Sequence, residues 1–162
     1  MSGTLINILV ATSAVCAGVS GGVYFAFSAI IMPALHSLPA KEAVPAMQRF
    51  NKKAVQLPFM AVFFGGAATS AAVITTELLS AAAQPPDALR LVGAGLSLVA
   101  FGITVVRNVP LNNALARLDP DLIDPTKDWQ SIERPWRDAN VARAAVSIAA
   151  AFLLLGAVAR PA

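Results

Sequence analysis

The chain has 162 residues, 57% of them hydrophobic and only 13% charged, with a formal net charge of +3 and a mean hydropathy of +0.67. Ordinary soluble domains carry about 25% charged residues, so the composition excludes a soluble globular domain and points to one integral membrane domain. The basic residues are not clustered on a soluble face, which argues against nucleic acid; a single cysteine, Cys16, and a single histidine, His36, argue against a disulfide framework, a thiol-pair oxidoreductase, a structural zinc or a bis-histidine haem.

The N-terminal run MSGTLINILVATSAV has no Lys or Arg ahead of its apolar residues, unlike a secretory signal. It is predicted as a retained helix over about 5–35, with Ala14, Gly18, Gly22 and Ala26 at successive i+4 positions. Such a small-residue stripe lets helix backbones approach in lipid, either within the bundle or as a homo-oligomer seam. The next segment, LPAKEAVPAMQRFNKKAVQLP, is predicted as a short interfacial helix, with Ala43, Met47 and Phe50 on one side and Gln48 and Asn51 sharing a face. A second span is predicted over about 54–78, offering Gly65 and Thr69 as a small face, with Glu77 as a boundary residue near its end. QPPD at 84–87 is a turn, because paired prolines stop a helix.

The third span is predicted over about 89–108 and runs into RNVPLNNAL. Pro110 has no N–H and frees the carbonyl of Val106, which Asn108 or Asn112 can answer. The following segment, DPDLIDPTKDWQSIERPWRD, is polar and proline-punctuated, with tryptophans suited to the headgroup layer. A fourth span is predicted over about 140–159, with Ala145 and Ala149 as its small face. The expected fold class is an all-α integral membrane protein: one four-transmembrane-helix bundle over residues 1–162, with a short interfacial helix between spans one and two.

Orientation follows from Lys and Arg counted segment by segment. Lys41, Arg49, Lys52 and Lys53 follow span one; Arg107, Arg117, Lys127, Arg134, Arg137 and Arg143 follow span three; the opposite side has only Arg90 and Arg160. Ten against two predicts a multi-pass protein of the cell membrane with both termini outside and both longer connections in the cytoplasm. The acidic residues of the last connection, Asp121 and Asp124 among them, weigh little in this rule.

The apolar cores of spans three and four, 91–106 and 144–159, are each 16 residues, or about 24 Å of helix, against about 30 Å of hydrocarbon. Two undersized helices would draw Arg107, Asn108, Asn112, Asn140 and Arg143 to one level near the cytoplasmic surface. Trp136, Asn140 and Arg143 share a face at i, i+4 and i+7 if the last helix begins before Trp136. Arg107 sits at a helix C-terminus that welcomes a cation; Arg143 sits near an N-terminus that opposes one. Arg143 therefore needs a carboxylate, a lipid phosphate or an anionic ligand.

FAFSAIIMPAL (25–35), AMQRFNKKAV (46–55), RNVPLNNAL (107–115) and WRDANVAR (136–143) resemble the sequence blocks of the DUF1772 family, which includes the fungal anthrone oxygenases. NVPLN followed by W-x3-N-x2-R is the most specific part. The resemblance implies oxidation of a polycyclic phenol, anthrone to anthraquinone, by O₂ without metal or flavin. The matching positions are Met32, Pro33, Gln48, Asn51, Asn108, Pro110, Asn112, Trp136, Asn140 and Arg143; Ala139 stands where the family often has a second aromatic. On that reading Trp136 and Phe50 stack on the rings, and Arg143, Asn140 and Asn108 hold the oxyanion. His36 accepts the proton, while Gln48, Asn51, Arg107 and Asn112 bind substrate. The partners implied are a lipophilic aromatic, O₂ and the bilayer, with no nucleic acid. The competing reading is a non-catalytic membrane protein, an accessory subunit, a small carrier or a lipid- or quinone-binding protein, using the same polar cluster.

Overall fold

The computed structural model describes residues 3–119 and 125–160; Asp121 and Asp124 lie outside the described residues. Every regular element among them is helical. Four helices are long and apolar enough to cross a membrane: α1 (Gly3–His36), α3 (Leu57–Ser80), α4 (Ala88–Ala116) and α5 (Pro125–Val158). Between the first two lies α2 (Ala40–Ala54), where the sequence predicts its short helix. The long helices alternate in direction, and contacts run α1–α3, α3–α4, α4–α5 and α5–α1, which makes a square bundle.

The helix starts are legible in local chemistry. Pro58 occupies the first turn of α3, where its missing N–H is no loss. Asp87 ends the QPPD turn and caps α4, its Oδ1 accepting from the backbone N–H of Leu89 at 2.8 Å and Arg90 at 3.1 Å.

The helices that carry spans three and four run well beyond their apolar cores. α4 has 29 residues and α5 has 34, about 43 and 51 Å of helix. Much of the expected polar connection, from 125 to 139, is the first part of α5. The polar residues are therefore carried on the same continuous helices as those apolar cores. Helix α4 also passes through Pro110 without ending. Residues Thr104–Asn108 form a π turn, with the Val109 N–H donating to Thr104 O. Helix α1 repeats the device: Phe27–Ile31 is a π turn, closed by the Met32 N–H on Phe27 O, and Pro33 follows. One extra residue in the turn lets the chain continue past a ring that crowds the carbonyl four residues back. Among the described residues the Asn108 and Asn112 side chains bond to Trp136 and not to the Val106 carbonyl.

The expected small-residue stripes lie only partly in the real seams: Ala14 is buried in the core and a Cβ at Gly18 would meet Ala151 Cβ at 3.8 Å, but the rest of the stripes is more open. Gly18 and Gly22 are exposed, as are Ala145 and Ala149, and a Cβ added at Gly22 or Gly65 would meet nothing within 4 Å. The close approaches fall elsewhere. A Cβ at Gly21 would sit 3.0 Å from Ile148 Cγ1 and 3.2 Å from the Ile148 backbone nitrogen. A Cβ at Gly66 would sit 3.0 Å from Cys16 Cβ, and one at Gly93 would sit 2.8 Å from Leu154 Cγ.

Glu77 lies near the end of α3, as expected. It is buried, and its Oε1 accepts from Arg90 Nη1 at 3.0 Å while its Oε2 accepts from the Asp87 N–H at 2.8 Å. Arg90 Nη2 also donates to Asn7 Oδ1 at 3.1 Å. This group ties α1, α3 and α4 at the end of the bundle that holds Gly3 and Ser80.

Candidate functional site

At the other end, α5 carries Trp136, Asn140 and Arg143 on one face, and all three are buried. The Asn140 amide is held from both sides. Its Nδ2 donates to Tyr24 O at 2.8 Å and to Ser28 Oγ at 2.7 Å. Its Oδ1 accepts from Arg143 Nε at 3.0 Å and Nη2 at 2.8 Å. Asn140 thus locks the guanidinium to α1, at the level of the first π turn.

Arg143 Nη1 donates to Thr104 Oγ1 at 3.3 Å, and that hydroxyl donates onward to Ala100 O at 3.0 Å. The guanidinium carbon lies 4.0 Å from the centre of the Tyr24 ring and 5.4 Å from that of Trp136, within cation–π range. Arg143 is only 7% exposed, yet none of the ion pairs among the described residues includes it. An arginine has five N–H groups; three are engaged here, and 5 − 3 leaves two, one on each terminal nitrogen. A buried charge is ordinarily paired, and among the described residues this one has only neutral partners.

Arg143 forms part of the wall of a cavity of about 320 Å³, within the range of small-molecule sites. Tyr24, Phe27, Phe59, Phe63, Phe64 and Trp136 supply its aromatic surface; Asn51, Asn112 and Thr104 supply polar atoms. The rings brace one another: Phe59 meets Tyr24 edge-on at 6.1 Å and Phe63 face-on at 6.4 Å, and Phe27 lies 5.7 Å from Trp136. The Trp136 indole N–H donates to Asn112 Oδ1 at 2.7 Å, which fixes the indole plane at the wall.

The family model of anthrone oxygenase matches residues 47–153. The chain belongs to the anthrone oxygenase family. The match takes in α3, α4, most of α5 and every wall residue from Asn51 to Arg143. No curated protein and no solved structure matches the chain.

Of the residues singled out from sequence, Arg143, Trp136, Asn112 and Asn51 line the cavity, and Asn140 holds Arg143 from behind. Gln48 stands beside it, its Nε2 donating to Leu115 O and Leu118 O at 2.9 and 3.0 Å, where it satisfies carbonyls at the end of α4. Asn108 is fully buried and outside the lining. Its Nδ2 donates to Trp136 O at 3.3 Å, so it couples α4 to α5. Phe50 touches the site only through Phe27, edge-on at 5.6 Å. Arg107 is exposed and lines no part of the cavity.

His36 is placed away from the cavity. Its Nδ1 lies 2.9 Å from Glu133 Oε1, with the imidazole 66% exposed and the carboxylate 2%. Tyr24, Phe59, Phe63, Phe64 and Thr104 are site residues that the sequence reading missed. Phe59 and Phe63 carry one faint signal, an i, i+4 aromatic pair. Among the described residues no three His, Cys, Asp or Glu side chains gather as metal ligands would.

Proposed function

We propose that the protein is a multi-pass membrane oxygenase that converts a lipophilic, anthrone-type polycyclic phenol to its quinone with O₂. One observation carries the reading: a buried guanidinium with two unengaged N–H groups and no carboxylate partner among the described residues forms part of the wall of an aromatic cavity. The rings suit a flat apolar ligand. The guanidinium suits an oxygen that becomes negative during reaction. The ten-to-two distribution of Lys and Arg supports both termini outside the cell membrane and the site near the cytoplasmic face.

In the proposed reaction the anthrone stacks among Phe27, Phe59 and Trp136 with its carbonyl oxygen on Arg143. Loss of a C10 proton to solvent gives an aromatic phenolate, whose charge Arg143 stabilises. The phenolate passes one electron to O₂. The resulting radical and superoxide join at C10 and take up a proton to give a hydroperoxide. Loss of water then leaves the quinone. The sum is one anthrone and one O₂ to one anthraquinone and one water. Trp136 and Asn140 position the ligand and the guanidinium. Family membership supports the reaction class.

The test is quinone formation from anthrone and O₂ by purified protein in detergent, compared with Asn140→Ala and Arg143→Ala. Wild type is expected to exceed autoxidation clearly, and both variants to fall to it while eluting as folded protein. Equal rates in all three defeat the proposal. Tight quinone binding without turnover would instead favour the non-catalytic binding protein.

A further inference from the structure

The aromatic cavity continues past Asn51. A second space of about 240 Å³ lies between α2 and the last turns of α4. Asn51, Val55, Val109 and Asn112 line both spaces, whereas Lys52 and Asn113 line only the second. The joint is thus an apolar throat flanked by two amides.

The two amides differ. Asn112 is committed to the Trp136 indole. Asn51 Nδ2 is buried and has no hydrogen-bond partner. A buried donor without an acceptor is costly; a half-turn of the amide exchanges its nitrogen and oxygen, so a ligand acceptor at the throat can draw the N–H into use. Lys52, at the rim, belongs to none of the ion pairs among the described residues. A flat ligand confined to the aromatic cavity would leave both groups unused.

Resting on the oxygenase reading, we infer that the second space is a subsite for a carboxylate on the substrate ring remote from the oxygen held by Arg143. Asn51 donates to that carboxylate at the throat, and Lys52 supplies charge at the rim. The substrate class is then an anthrone-type phenol with an anionic outer-ring substituent, and Asn51 and Lys52 determine specificity.

The experiment compares anthrone with anthrone-2-carboxylate as substrates of the full chain in detergent. In parallel it compares anthraquinone with anthraquinone-2-carboxylate as ligands, read by quenching of tryptophan fluorescence. Wild type is expected to favour the carboxylated member about 10-fold or more in both series, the usual strength of a hydrogen bond to a charged group. Asn51→Ala and Lys52→Ala should each bring that ratio close to one. Lys53→Ala, whose side chain lines neither space, should keep it. A wild type without the preference, or either groove variant that retains it, overturns the inference. Quinone binding requires no turnover: a protein that binds with the preference but forms no quinone defeats the oxygenase reading alone. Turnover of anthrone without the preference defeats the subsite alone, and binding of neither quinone defeats both.

Discussion

Replacing Arg143 by methionine keeps much of the side-chain volume and removes the charge. Catalysis should suffer heavily. Loss of one preorganised oxyanion donor usually lowers kcat by about 10²–10³, or ~2.7–4 kcal/mol, and Arg143 has two N–H groups to offer. Stability should move the other way or stay level. A buried guanidinium without a counter-charge carries several kcal/mol of desolvation penalty, offset by its bonds to Asn140 and Thr104 and by the Tyr24 ring. Methionine abolishes the penalty. Thr104 keeps its bond to Ala100 O, so the main debit is the orphaned Asn140 Oδ1, about 1–3 kcal/mol. The balance lies between neutral and a few kcal/mol of added stability, and about 2–4 °C in Tm accompanies each kcal/mol for a chain of this size. The assays are thermal unfolding in detergent, followed by circular dichroism, and quinone formation below the transition. A Tm at or above that of wild type with a rate at least 10²-fold lower is the expected result. A Tm more than ~5 °C lower, with activity lost in proportion, would mark Arg143 as scaffold, and a full rate would remove it from the reaction.

Gly21→Ala should destabilise by about 1–3 kcal/mol through overpacking on Ile148. Gly22→Ala, into open space, should be neutral or gain up to ~1 kcal/mol of helix propensity; thermal unfolding of the pair separates the two faces, and equal Tm values would contradict the packing. Glu77→Ala strands Arg90 in a largely buried setting and should cost about 3–5 kcal/mol, with quinone formed per folded molecule unchanged, as measured by Tm and by rate normalised to folded protein. Pro110→Ala restores an N–H and should let the π turn relax, rotating Thr104 against Asn112; helicity by circular dichroism should persist while kcat falls by as much as ~10²-fold, and an unchanged rate would detach the π turn from the site.

The number of spans was legible because four separate apolar runs stand out along the chain, each on a helix long enough to cross a bilayer. Their rotation was not. On a helix apolar all round, lipid-facing and bundle-facing positions look alike, so Gly18 and Gly22 read as a seam while Gly21 forms it. The same degeneracy hid Phe59, Phe63 and Phe64, whose cavity-lining rings differ from other apolar side chains of the helix only in where the partner helices stand. Polar side chains broke the degeneracy, since a buried amide or guanidinium must face something; hence the face of Trp136, Asn140 and Arg143 was found from spacing. Helix ends near Pro110 were misjudged because a proline permits either a stop or a π turn, and tertiary packing selects between them. His36 was singled out for its chemistry and for its place at the end of span one, and neither tells a cavity base from a partner for Glu133.

The bundle contains its own reference for what a structural arginine looks like. Arg90 spends its charge inside the protein: a buried carboxylate 3.0 Å away, a second bond to Asn7, and a position joining α1, α3 and α4. Had Arg143 the same task of tying helices, the same solution would serve, since a carboxylate at Thr104, whose hydroxyl it already meets, would reach it. Instead its neighbours are an amide oxygen, a hydroxyl and two aromatic faces. These groups orient a guanidinium without neutralising it. Orientation with the charge left unspent suits a site whose anion arrives with the ligand, or forms on it.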